Sequence, residues 1–138
     1  MKNPKLHLVL KHIWFDMIAS GQKHEEYRTI NPYWYKRIMK FIDDNPKAII
    51  VFHRGYTNII AEVEFIGLDT GVSNPKWSEN GIPINCFILK LGKVIKTENW
   101  IYREVSFNPD EARAAFYNRM IVKIGKHRKK SSVPVIIV

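Results

Sequence analysis

Leu6, Leu8 and Leu10 alternate with His7, Val9 and Lys11, the period-two pattern of a strand with one buried face. Over residues 12–20 the period changes. Ile13, Met17 and Ile18 fall at helical spacing, and Gly21 follows as a residue able to take the left-handed conformation that ends a helix. Residues 23–30 read as extended, with Tyr27, Thr29 and Ile30, until the break at Asn31 and Pro32. Asn31 is a good helix cap and Pro32 suits a first helical position, which predicts a helix over residues 33–42 with Trp34, Ile38, Phe41 and Ile42 turned inward. The stretch Asp43, Asp44, Asn45, Pro46 stops it.

Two runs rich in branched apolar residues, 48–52 and 59–66, flank the turn-forming Arg54-Gly55-Tyr56-Thr57-Asn58 and predict a β-hairpin. Residues 67–85 show no period and hold three glycines and two prolines, so they read as a long loop. Residues 86–95 return to strand, and 100–107 offer one more. Asn108-Pro109-Asp110-Glu111 resembles a capped helix start, after which Ala112, Ala115, Phe116 and Met120 would face inward. About five or six short strands with interleaved helices predict an α+β fold whose sheet is curved or closed rather than doubly wound.

At 138 residues the chain has room for one domain, and 46% hydrophobic residues are enough to form a core. No apolar run approaches the ~20 residues that span a bilayer, and none near the start has signal-peptide length. A single cysteine, Cys86, permits no internal disulfide, so a reducing, cytoplasmic setting is expected. The net charge is +9, and Lys123, Lys126, Arg128, Lys129 and Lys130 supply five of those charges within eight residues. Such a cluster attracts polyanions in a salt-sensitive way, although it also suits a solvated tail.

The segment Gly21-Gln22-Lys23-His24-Glu25-Glu26-Tyr27-Arg28 resembles the GxKxxExR pattern of the ASCH domain family, of the phage-like and bacterial kind. Its setting is similar too: a strand and the helix WFDMIASG precede it, and the proline-aromatic-basic helix NPYWYKRI follows. The likeness continues through Phe52-His53-Arg54-Gly55-Tyr56, Glu62-Val63-Glu64, Trp77 and the strand Phe87-Ile88-Leu89-Lys90-Leu91-Gly92, and so covers residues 6–95. It implies a PUA-like β-barrel over residues 1–107, with a C-terminal helix and basic tail over 108–138 packed on the same domain. It also implies a cleft lined by Lys23, Glu26 and Arg28 and suited to RNA or a nucleotide.

Strand alternation sets a condition on that cleft. Glu26 and Arg28 share a face, whereas Lys23 joins them only if it lies in the turn after Gly21 or at a bulge. Taken without the resemblance, Glu26 and Arg28 form a same-face surface ion pair and Lys23 is a solvated lysine. As a site residue Lys23 is still expected at the surface, so that Lys23→Ala abolishes binding or turnover while shifting stability by only about 0.5 kcal/mol.

Lys11 could add a phosphate contact from the end of the first strand, Arg54 could grip phosphate from its turn, and Tyr56 or Trp77 could stack on a base. The plainer roles are a solvated lysine, turn chemistry and a loop anchor.

RNA, a nucleotide or a nucleoside is therefore the expected partner, with no cofactor. The five histidines are dispersed and only one cysteine could join them, so no metal site is expected. Neither a phosphate-binding glycine loop, a dinucleotide fingerprint nor GxSxG is present. The enzyme alternatives are hydrolysis of the amide of acetylated cytidine and metal-independent RNA cleavage, with Lys23 and Glu26, or Glu64, as acid–base groups. The amidohydrolase pattern carries a threonine where Glu26 stands, and Thr29 is out of register. A protein-interaction module is the third possibility, favoured only by a closed or apolar cleft.

Overall fold

Leu6, Leu8 and Leu10 are all buried, so the alternating segment forms β1 (Leu6–Leu10) with one face in the core. The computed structural model describes residues 4–43 and 45–127. After β1 come α1 (His12–Ala19), β2 (Glu25–Arg28), α2 (Pro32–Ile42), β3 (Ile49–Arg54), β4 (Ile60–Val72), β5 (Asn85–Glu98) and α3 (Pro109–His127). Asn31 caps α2 by accepting from the Trp34 amide at 2.9 Å, and Pro32 occupies its first turn.

The chain is α+β, with one mixed sheet in the order β1-β3-β4-β5-β2. Only the β1–β3 pair is parallel. Phe15 and Ile18 from α1, Ile38 from α2, and Leu8, Ile50, Phe52, Val63 and Leu89 from the sheet form the centre of the core. Among the described residues no helix is long and apolar enough to cross a membrane.

Among the described residues five strands form, and backbone pairing does not close them into a barrel. The edge strands β1 and β2 are five and four residues long, and a side chain joins them where a closing ladder would run: Arg28 Nη2 on β2 donates to the Val9 carbonyl on β1 at 3.4 Å. The sheet thus curls far enough to bring its edges within one side chain's reach, and a seam remains open between them.

Two strand assignments change. Residues 67–72 belong to β4, paired with β5, rather than to a long loop. Register shifts at Glu62/Val63, Val63/Phe65 and Phe65/Gly67 bend the ladder before this stretch, and the stretch itself is hidden in the sequence because Gly67, Asp69 and Gly71 are poor strand formers and none of residues 67–72 is fully buried. Residues 100–107 form no strand; within them the Gln22 side-chain amide takes both backbone groups of Val105, its Nε2 donating to the Val105 carbonyl and its Oε1 accepting from the Val105 amide, both at 2.9 Å. Trp100, Val105 and Phe107 are anchors packed on the core.

Asn108 caps α3 through its Oδ1, which accepts from the Asp110 and Glu111 amides at 3.0 and 3.1 Å. Ala112 and Phe116 are half-buried as expected, whereas Ala115 and Met120 are exposed. Polar contacts set the docked face instead: Arg113 Nη1 donates to the Gly81 carbonyl at 2.8 Å, and Arg119 Nη2 to Asn80 Oδ1 at 3.3 Å. The basic positions Arg128, Lys129 and Lys130 lie outside the described residues.

Candidate functional site

The seam between β1 and β2 opens into a cleft of about 230 Å³, lined from β1 by Val9 and Leu10, from β2 by Glu26, Tyr27 and Arg28, and otherwise by Lys11, Trp14, Lys23 and the loop after β4. Its floor begins with Gly21, which at φ +86° takes the left-handed conformation that only glycine adopts without strain. The chain therefore turns sharply after α1, and the Lys23 amide donates back to the Met17 carbonyl at 2.9 Å. This places Lys23 ahead of β2, free of strand alternation, so its side chain reaches the face that carries Glu26 and Arg28.

The three charges meet on one carboxylate. Lys23 Nζ donates to Glu26 Oε1 at 2.9 Å and Arg28 Nη2 to Glu26 Oε2 at 2.7 Å. The Lys23 and Glu26 side chains are only 2% and 6% exposed, so this is a buried cluster and not a surface pair. Burial opposes the charge on Glu26, yet the Lys23 and Arg28 charges, with their hydrogen bonds, outweigh it and hold the carboxyl below its ordinary range.

Aromatic rings complete the setting: Lys23 Nζ lies 5.0 Å from the Trp14 ring centroid and 5.4 Å from that of Tyr27, and the Arg28 guanidinium lies 4.8 Å from Trp34. Arg28 Nε is buried with no hydrogen-bond partner among the described residues.

The rim is polar. Lys11 Nζ and Trp14 Nε1 donate to the two oxygens of Glu79, at 2.9 and 3.0 Å, and burial is again outweighed, so the Glu79 carboxyl sits below its usual value. Ser78 Oγ bonds Ser73 Oγ and the Asn74 carbonyl, each at 2.6 Å, which fixes the loop that carries Trp77. Trp77 packs edge-on against His24 with centroids 4.6 Å apart. Tyr27 is raised well above its usual value by burial and by its 2.7 Å hydrogen bond to Glu25, so it stays protonated.

Of the residues singled out in the sequence, Lys11, Lys23, Glu26, Arg28 and Trp77 line this cleft, and Arg54 and Tyr56 do not. Arg54 is spent on a two-pronged pair with Asp16, at 2.9 and 3.0 Å, and Asp16 also accepts from Trp100 Nε1 at 3.0 Å. This arrangement ties the hairpin turn to α1. Tyr56 is 97% exposed at the turn.

Glu64 and Thr29 are not on the cleft wall either. Trp14, Tyr27, Ser73, Ser78 and Glu79 are wall residues that the sequence reading did not identify. A carboxylate in the aperiodic loop was the available signal for Glu79, while Trp14 was concealed within an apolar helix.

Among the described residues, no three His, Cys, Asp or Glu side chains come together to hold a metal. Compared with known proteins, the chain matches no family model, no curated protein and no solved structure.

Proposed function

We propose that the chain is an ASCH-type module of PUA-like design whose cleft binds a single nucleotide unit, free or within RNA. The observation that carries this reading is the charge of the buried cluster. One carboxylate, Glu26, is shared by two cations, Lys23 and Arg28, which leaves the cleft floor with an excess positive charge. Buried charge is tolerated only when compensated, so the cluster favours an anionic group arriving from the open side. Arg28, which lines the cleft, also keeps a buried Nε donor without a partner among the described residues, and such a donor left unmade costs about 1–3 kcal/mol.

Size and lining narrow the ligand. At about 230 Å³ the cleft is smaller than the ~300–1,000 Å³ of typical small-molecule sites, which suits one base with its sugar and phosphate better than a duplex. Trp14, Tyr27 and Trp77 offer ring faces or edges to a base. The protein-interaction reading, which asked for an apolar or closed cleft, draws less support from so charged a wall.

Hydrolysis also draws less support. Lys23 Nζ is held by Glu26, and Thr29 and Glu64 are off the wall, so a free base beside a nucleophile is not apparent. The single cysteine, buried as Cys86, accords with a cytoplasmic setting. A thermal-shift series with nucleosides, nucleoside 5′-monophosphates and inorganic phosphate tests the reading. Monophosphates should stabilise most, by about 2.7 kcal/mol at 100 times the dissociation constant. Equal, negligible shifts for all three would remove it.

A further inference from the structure

A row of cations and rings leaves the cleft across the outer side of β1. The Trp34 ring is approached by two guanidiniums, Arg28, which lines the cleft, at 4.8 Å and Arg37, which does not, at 5.1 Å. Arg37 lies in turn 5.6 Å from the Tyr33 ring, and Tyr33 is 60% exposed. The order is thus cation, ring, cation, ring, starting at the buried cluster and ending in solvent.

We infer that this row is a second subsite, holding the nucleotide next to the one in the cleft, so that the true ligand is a single strand rather than a free mononucleotide. The inference rests on the nucleotide reading of the cleft.

A simpler role for the two arginines is to cover the open edge of β1, and each does donate to one of its carbonyls: Arg28 Nη2 to Val9 at 3.4 Å and Arg37 Nη2 to His7 at 3.3 Å. Those bonds are long and use one nitrogen of each fork. They also leave the charge of Arg37 unneutralised, for no carboxylate lies within 4.0 Å of it among the described residues. An edge cap can use the Tyr33 hydroxyl, which accepts from Arg37 Nη1 at 3.3 Å, but it leaves the exposed tyrosine ring and the guanidinium against Trp34 without a role.

A strand uses both. The two guanidiniums bond β1 carbonyls two residues apart, Val9 and His7, which is about 7 Å along a strand and comparable to one nucleotide step, so Arg28 can meet the phosphate at the cleft mouth and Arg37 the next one, while the Tyr33 ring stacks on the outer base. A cleft this small cannot contain a second nucleotide, so any strand must run out over such a surface.

The test measures binding of uridine 5′-monophosphate, a pentauridylate and a pentathymidylate to the full chain and to Arg37→Gln, Tyr33→Ala and Tyr33→Phe. The pentamer should bind at least about tenfold tighter than the monophosphate, and Arg37→Gln and Tyr33→Ala should each remove about tenfold of that gain. Tyr33→Phe should keep it, because it keeps the ring, and monophosphate affinity should be the same in all four proteins.

A gain with either pentamer that Arg37→Gln and Tyr33→Ala reduce supports the row, and comparing the two pentamers identifies the sugar it accepts. Equal affinity for monophosphate and pentamers, or a gain that survives both substitutions, overturns the strand inference while leaving the cleft reading intact. Absence of binding by all three ligands overturns the cleft reading, and the strand inference with it.

Discussion

Lys23 has a different energetic character from that of an exposed lysine. With its side chain 2% exposed and its Nζ on Glu26, Lys23→Met leaves a buried carboxylate with one cation where it had two. Breaking a buried pair costs about 3–5 kcal/mol, and because Arg28 remains on Glu26 the loss should fall near 3 kcal/mol. Chemical denaturation of the variant measures it, and a loss under about 0.5 kcal/mol would mean that the cluster is solvated.

The same residues set an acid limit. Glu26 and Asp16 titrate below the ordinary carboxylate range when folded, so the folded state binds fewer protons than the unfolded one. Their stabilisation is complete above about pH 4.5 and is lost as pH falls through the lower folded values. His53, lowered by burial and by His7, acts in the same direction just below about pH 6.5. Melting temperature should therefore fall monotonically from pH 7 to pH 3. A rise on acidification would contradict the ion-pair account.

The elements were largely legible where a period or a cap announced them: the alternating leucines of β1, the Asn31-Pro32 start of α2 and the Asn108 cap of α3. They were illegible where tertiary partners overrode local pattern. Glycines and an aspartate gave the outer end of β4 no strand-like pattern, and a glutamine amide 83 residues away took both backbone hydrogen bonds of Val105 within 100–107. The cleft was half legible: GxKxxExR marked its floor, but Glu79 and Trp14 meet only through folding.

One position now has a specific expectation. Gly81 has φ +67°, and an added Cβ would collide with the Pro109 backbone at the start of α3. Gly81→Ala should cost about 1–3 kcal/mol and raise hydrogen exchange in α3 before the sheet. Uniform exchange across the molecule would show that α3 does not depend on this contact.

At the scale of the whole molecule, an incompletely closed sheet produces both the site and its chemistry. If β1 and β2 paired, their backbones would fill the seam and Arg28 would have no mouth to guard. The basic run from Lys123 to Lys130 is expected to add salt-sensitive affinity without selectivity. Neutralising its five charges should flatten the salt slope of RNA binding by about 3.5 if all five contact a single strand. Salt titrations of the two proteins compare this directly, and an unchanged slope would make the run a solvated tail.

The central claim is that the seam binds a nucleotide through the excess charge of the Lys23–Glu26–Arg28 cluster. Its most direct test is a two-dimensional NMR titration with a nucleoside 5′-monophosphate. The account predicts saturable shifts at the Trp14 indole N–H, the Lys23 amide and the Arg28 Nε–H, with Tyr56 silent. Shifts confined to the Tyr56 turn or to α3, with the cluster signals unmoved at saturation, would contradict it.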